Sequence, residues 1–394
     1  MDQFGALILL FNTLIVLGQN GRGFIKTNVI LFDVIQSSNE PKSLIECCGF
    51  CTILDSCQGV TFEDNICTAI NNVIPNFRAR FDEVAWIDAE LYKKTKKLLI
   101  FSGSKAQTEV IDLGFESSHV LPSTIVMGIG GKISDTEAML CDSKYNNVGN
   151  CQYFPIARNQ EATMLEKVYS EPRLYARAIG IPKLEGLLVV GGEGKSTSEI
   201  ITKTGSQPGP PAPVEDLQSS CMVRINSSTI FMIGGSSDWK KTWYCHHIEY
   251  ENPKDWKWIN GPELNVGRVT HACVVWHVND KIVVATIGGE GAIVVADGVK
   301  ALKSTEFLDI ETNEWLYGPN LDLPTIFPGT TEISFNGFNE IFLFGGQRDS
   351  GTGEKMNRIY KLKCGDQNQL STCHWFRMAQ SLQLRRRNGI VIQI

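Results

Sequence analysis

The sequence predicts an all-β chain: a repeat architecture of short strands over residues 96–394, preceded by a small disulfide-rich α+β domain over residues 19–95. Three observations carry this reading. Apolar, strand-length runs ending in a glycine pair recur as "LLVVGG" (187–192), "IFMIGG" (230–235), "VVATIGG" (283–289) and "IFLFGG" (341–346). Five of the twelve cysteines crowd into residues 45–67, with no other within about 70 residues of them. The chain also ends on "NGIVIQI" (388–394), an apolar segment of strand length.

Composition suits a globular protein, with 43% apolar and 20% charged residues and a net charge of -6. An acidic chain without a basic stripe is a poor nucleic-acid partner. The one tight basic run, "LRRR" at 384–387, reads as a solvated face.

The first residues, "MDQFGALILLFNTLIVLGQNG", hold an apolar stretch too short to span a bilayer, followed by small and polar residues that suit cleavage after Gly18. Residues 1–18 therefore read as a secretory signal peptide. Asp2 stands where a basic residue is usual and Asn12 interrupts the run, so a buried first strand or helix is the alternative. No later segment approaches the roughly 20 apolar residues of a transmembrane helix. The expected location is extracellular.

In an exported chain the cysteine window reads as disulfides. Zinc would want paired C-x-x-C units or histidines at ligand spacing, and the nearest downstream histidine is His119. "CGFC" at 48–51 could be a redox motif, but no βαβ pattern surrounds it. Leu44, Cys47, Cys48 and Cys51 fall on one face of a short helix, and "QGVTFEDNICTAI" follows as strand and turn.

At these residues the chain resembles the PAN/apple domain family, in which a helix carries two cysteines four apart, followed by a cysteine before an aromatic strand and one more. Cys47, Cys51, Cys57 and Cys67 match, with "QGVTF" as the strand. The resemblance spans roughly 22–94 and implies bonds Cys47–Cys67 and Cys51–Cys57. Cys48 departs from the pattern and leaves an odd cysteine on each side of the domain boundary.

Beyond "ELYKKTKK" (90–97) the glycine pairs set the grammar, at steps of 43, 54 and 57 residues. Weaker copies at "KLLIFSG", ending at Gly103, and "AMLCDS", ending at Ser143, bring the units to six. "GIGG" at 128–131 falls out of phase and is expected as a turn between two strands of the second unit. Each pair is followed by its own pattern, clearest in "STEFLDIETNEW" (304–315), where Glu306, Leu308 and Asp309 form a strand, "ETN" turns and Trp315 opens the next strand.

This pattern resembles the kelch repeat family, whose hallmark is a glycine pair, a Glu, an aromatic residue and a Trp in units of about 50 residues. The resemblance implies a six-bladed β-propeller over about 96–394, in which neighbouring blades supply each other's core. The first unit starts at "KKLLIFSG" without the inner strand that "THACVVWHV" (270–278) supplies to the fifth. Residues 388–394 are therefore expected to complete the first blade and close the ring.

Cys141 with Cys151 and Cys364 with Cys373 bracket short loops and read as hairpin disulfides. Cys221 and Cys273 lie in apolar inner strands, where buried thiols are expected, and Cys245 has no assignment. The sequon "NSS" makes Asn226 the candidate glycosylation site.

No catalytic residue, cofactor or metal site is expected. Galactose-oxidase relatives on kelch propellers need two histidines and two tyrosines around copper. In "WYCHHIEY" (243–250) the adjacent His246 and His247 would point to opposite faces, and His119, His271, His277 and His374 offer no matching pair. "SSDWKKTW" (236–243) resembles a sialidase Asp box, with Lys240 in place of its glycine. "GGEGKST" (191–197) is similar to a P-loop but lacks its first glycine and follows a repeat strand. The cysteine window, and the lack of room for a dimerisation domain, argue against an intracellular ubiquitin-ligase adaptor. What remains is an extracellular binding or adhesion protein for a protein or carbohydrate ligand, with a galactose-oxidase-like or glycosidase enzyme as the alternative.

Overall fold

The computed structural model describes residues 97–101, 107–112, 118–122, 128–134, 136–142, 150–155, 163–165, 168, 171, 173–246, 252–278, 281–295, 298–335, 338–349, 353–365, 369–387 and 389–393, and backbone strands within residues 1–96. These residues are all-β, with 3-10 turns only at Pro182–Leu184, Pro253–Asp255 and Leu370–Thr372. Among them no helix is long and apolar enough to cross a membrane.

The chain divides into two compact units. The first, Met1–Lys97 with Asp112–Ser117 and Ser334–Phe338, holds a six-stranded sheet in the order Leu7–Leu10, Thr13–Leu17, Gly23–Ser38, Ile66–Asn76, Gly59–Glu63 and Val84–Asp88. The expected helix and Cys47, Cys48, Cys51 and Cys57 lie outside the described residues, and Cys67 is described only as backbone, paired with Phe62 and Ser38.

Apart from Lys97, Asp112, Ser334, Phe335 and Phe338 at strand ends, the second unit holds six four-stranded sheets. The first runs Ile390–Gln393, Lys97–Phe101, Gln107–Asp112, Ser118–Pro122. The second runs Ile129–Ser134, Glu137–Cys141, Cys151–Pro155, Thr163–Leu165, and the third Arg177–Ile181, Gly186–Val190, Ser198–Thr202, Gly205–Pro208. Cys221–Asn226, Thr229–Ile233, Thr242–His246 and Trp258–Asn260 form the fourth. Ala272–Val278, Lys281–Ile287, Thr305–Asp309 and Glu314–Tyr317 form the fifth, and Gly329–Phe335, Phe338–Phe344, Met356–Cys364 and Cys373–Arg386 the sixth. A small sheet of Arg268–Val269, Glu290–Val295 and Gly298–Ala301 accompanies the fifth.

Second strands are buried on both faces, which explains runs such as "LLVV" and "IFMI" in place of alternation. Their partners are the neighbouring sheets. Leu99, Phe101 and Ile392 of the first sheet meet Ala138 and Leu140 of the second. Leu187 and Ile201 of the third meet Met139 of the second, while Leu188 and Ile200 meet Met232 and Trp243 of the fourth. Phe231 and Ile233 of the fourth meet Val284 and Leu308 of the fifth, and Trp276 and Phe307 of the fifth meet Leu343 and Tyr360 of the sixth. The Leu, Ile, Val, Phe and Met side chains among these contribute about 1.5–3 kcal/mol each when fully buried.

The glycine pairs sit where consecutive sheets touch. Gly191 and Gly192 have φ of 70° and 111°, and Gly288 and Gly289 of 65° and 93°, a region that favours glycine. A Cβ on Gly288 would stand 2.2 Å from the Thr325 carbonyl oxygen, to which Gly289 donates its N–H at 2.8 Å. Gly235 donates likewise to Arg268 and Gly346 to Arg386.

Two expectations need correction here. "GIGG" is not a turn: Gly130 and Gly131 lie inside the leading strand Ile129–Ser134. A Cβ on Gly130 would stand 2.4 Å from the Met139 carbonyl oxygen, and one on Gly131 3.3 Å from the Gly180 nitrogen, so close backbone approach, not chain reversal, demands these glycines. Cys221 and Cys273 are not buried thiols but a disulfide with Cα atoms 6.0 Å apart. The leading strands of the fourth and fifth sheets lie side by side and bring together two residues 52 positions apart. Cys141–Cys151 and Cys364–Cys373 are also bonded. Cys245 carries a buried thiol, whose Sγ lies 3.9 Å from the His246 carbonyl oxygen.

Candidate functional site

The chain enters the leading strands of the third to sixth sheets through tight loops that share one geometry. Tyr175, Ser219, Thr270 and Phe327 have φ of 61°, 56°, 56° and 53°. Each stands two residues before the leading strand of the third, fourth, fifth or sixth sheet. A left-handed conformation costs about 1–2 kcal/mol for a residue with a Cβ, so four at equivalent positions need a common cause. That cause is a relay of backbone bonds: Ser219 N donates to Tyr175 O at 2.9 Å, Thr270 N to Ser219 O at 2.9 Å, and Phe327 N to Thr270 O at 2.7 Å. Successive sheets are thereby joined loop to loop.

Buried ion pairs hold the loops down in the first, third and fifth sheets. Arg268 Nη2 lies 2.5 Å from Glu306 Oε1, and both side chains are fully buried. Glu306 also accepts the amides of Asn265 and Val266 at 2.8 and 3.0 Å, while Arg268 Nη1 donates to the carbonyls of Gly288 and Ser304. Arg386 repeats the arrangement with Glu109 at 3.1 Å, and Glu109 accepts the amides of Gln383 and Leu384. Arg173 reaches Glu199 at 3.1 Å and the carbonyls of Gly191 and Thr197. Filling so many donors and acceptors is what makes a buried pair tolerable, and it fixes the loop geometry.

"LRRR" is thus not a single solvated face. Arg386 is buried on Glu109, Arg387 donates to Gln347 Oε1 at 2.8 Å and lies over the Phe327 ring, and Arg385 alone is exposed. The signal that could have found the cradles is a Ser or Thr, any residue, then Glu after the glycine turn ("TSE", "STE", and "QTE" in the first unit with Gln107 in the first place), together with an arginine four residues before a leading strand.

His271 lies in the same layer. It is 3% exposed, and neither ring nitrogen has a hydrogen-bond partner among the described residues. Burial, with the nearby charges of Arg268 and Arg177, holds its pKa well below the ordinary histidine value. Above pH about 6.5 the ring is neutral in the folded and unfolded chain alike. Below it the unfolded chain takes a proton that the folded chain resists, so stability should fall on acidification. Urea midpoints measured between pH 7.5 and 5 should decline for the native protein and flatten in His271→Gln; parallel slopes would show that other groups carry the dependence.

The remaining candidate residues lie apart. Asn226 is exposed at the hairpin between Cys221–Asn226 and Thr229–Ile233, where its Oδ1 accepts the Ser228 amide at 2.9 Å and the Ser228 hydroxyl at 3.1 Å. His246 Nδ1 lies 3.1 Å from Thr229 Oγ1, and His247 is outside the described residues. His277 Nδ1 lies 2.8 Å from Glu332. Among the described residues no three His, Cys, Asp or Glu side chains converge as metal ligands would. In "GGEGKST", Lys195 pairs with Glu171 and the Gly194 amide donates to Asp216 Oδ1 at 2.7 Å, so carboxylates occupy the donors a phosphate would need. In "SSDWKKTW", Asp238 accepts the Lys240 amide in a local turn.

Compared with known proteins, the chain matches no protein-family model and no curated protein.

Proposed function

We propose that the chain is an extracellular, non-enzymatic recognition protein: a six-bladed kelch-type propeller, closed by residues 388–394 and preceded by a PAN/apple-like domain, that binds a protein or carbohydrate through its loop layer. Support for the propeller comes from six sheets of one topology, the first five of which each pack on the next. Ile390–Gln393, from the far end of the chain, leads the sheet that begins at Lys97. A Cβ on Gly329 of the sixth sheet would stand 2.7 Å from the Gly389 carbonyl oxygen beside the first, which favours a ring.

The loop relay carries the functional reading. Strain at Tyr175, Ser219, Thr270 and Phe327 recurs at one level of four sheets, and loops held on a rigid scaffold are where binding residues concentrate. Three disulfides and the exposed sequon favour export.

The mature chain is expected to begin near Gln19, without the strands Leu7–Leu10 and Thr13–Leu17 of the first unit's sheet, and to carry sugar on Asn226, which N-terminal sequencing and glycosidase treatment of material from the medium check. Met1 at the mature terminus would sink the export argument. Glycan-array binding and proximity labelling at the cell surface test recognition, and stoichiometric copper in the purified protein would favour the oxidase instead.

A further inference from the structure

Buried or half-buried guanidinium groups are normally matched by an anion, because desolvation of an unpaired charge is costly. Arg173, Arg268 and Arg386 follow the rule, with Glu199, Glu306 and Glu109 at 3.1, 2.5 and 3.1 Å. Arg177 breaks it. It opens the leading strand of the third sheet, is half-buried, and donates Nε to the Ser220 carbonyl at 2.5 Å. No carboxylate lies within ion-pair distance of it among the described residues, and burial brings its pKa down to about 10.

Its neighbours make the exception sharper. The residues that open the other leading strands are Ile129, Cys221, Ala272, Gly329 and Ile390, so Arg177 carries the one charge in that row. Close by, His271 has two buried nitrogens without partners and Thr270 a buried hydroxyl without one. Among the described residues the loop layer thus holds a cation without a carboxylate partner next to sealed polar atoms without hydrogen bonds, although the same layer satisfies Arg268 in full.

We infer that Arg177 anchors a binding site for a monocarboxylate of the acidic-sugar class, its two Nη atoms gripping the carboxylate beside the loops of Tyr175 and Ser219. The inference rests on the recognition reading above and names its ligand. One guanidinium fork matches one carboxylate. An acidic peptide stretch would need several cations, and Arg268 and Arg386 are already spent on Glu306 and Glu109. Tyr175 lies two residues before Arg177 and Ser219 next to the Ser220 carbonyl that Arg177 holds, and these half-buried residues offer a ring and a hydroxyl for the neutral part of a sugar.

Calorimetric titration of the purified full chain with N-acetylneuraminate and glucuronate tests this, with galactose, glucose and acetate as controls. Both acidic sugars are expected to bind, the neutral sugars not, and acetate far more weakly. Arg177→Gln should weaken binding about tenfold or more. Arg177→Lys, which keeps the charge but loses the fork, should weaken it several-fold and serves if the Gln variant does not fold. Unchanged affinity in Arg177→Lys, equal binding of neutral sugars, or acetate binding as tightly as the acidic sugars would each overturn the assignment. If the wild-type protein labels cell surfaces and Arg177→Gln labels them equally, the site falls and the recognition reading stands. If the wild type neither labels cells nor binds any array glycan, that reading falls as well.

Discussion

Removing residues 388–394 is expected to leave the chain aggregated, where loss of seven residues from an ordinary terminus would be tolerated. Ile390, Val391, Ile392 and Gln393 pair with Phe101, Ile100, Leu99 and Leu98. Ile392 is 4% exposed and packs with Leu99, Phe101, Val110, Ala138 and Leu140. Without this strand Leu98–Phe101 presents a row of open backbone donors and acceptors on an apolar edge, ready to pair with another chain. The buried Arg386–Glu109 pair lies just ahead of the cut, so the end of the sixth sheet would also lose the strand that follows it. Soluble yield and sedimentation of the truncated chain against one lacking only Ile394 give the readout. Normal yield of monomer from the truncated chain would refute the role given to this strand.

Trp315→Ala should cost about 3–5 kcal/mol, the usual result of truncating a buried aromatic side chain. Trp315 is 7% exposed on the outer strand Glu314–Tyr317, between exposed neighbours, and packs against Val223, Phe231, Leu264 and Leu308. Its indole nitrogen donates to the Pro262 carbonyl at 3.1 Å, and its own carbonyl accepts the Asn265 side chain at 2.8 Å. The substitution thus opens a cavity between the fourth and fifth sheets and loosens the loop that Glu306 holds. Urea unfolding monitored by circular dichroism measures the loss. A change under about 1 kcal/mol would show that this inter-sheet contact contributes little.

What the sequence by itself determined is local. A glycine pair with φ near 65° and 93° at Gly288 and Gly289 has no ready substitute, because a Cβ would strike a carbonyl oxygen about 2 Å away, so the requirement is written in the residue type. Strand runs buried on both faces are legible for the same reason, as are Cys141–Cys151 and Cys364–Cys373, whose partners are 10 and 9 residues apart on one hairpin.

Only the tertiary structure decided contacts between sheets. Cys221 and Cys273 meet because two leading strands lie side by side, and "GIGG" is strand because another backbone passes against it. Arg386 in "LRRR" is buried because Glu109, 277 residues earlier, stands in the sheet it covers. The loop relay through Tyr175, Ser219, Thr270 and Phe327 leaves no mark in side-chain chemistry, since its bonds are main chain to main chain. Whether an arginine such as Arg177 has a partner depends on what faces it across a gap between sheets. Residue type fixes a conformation within a few positions, whereas charge pairing and burial are set by distances that only the packed chain defines.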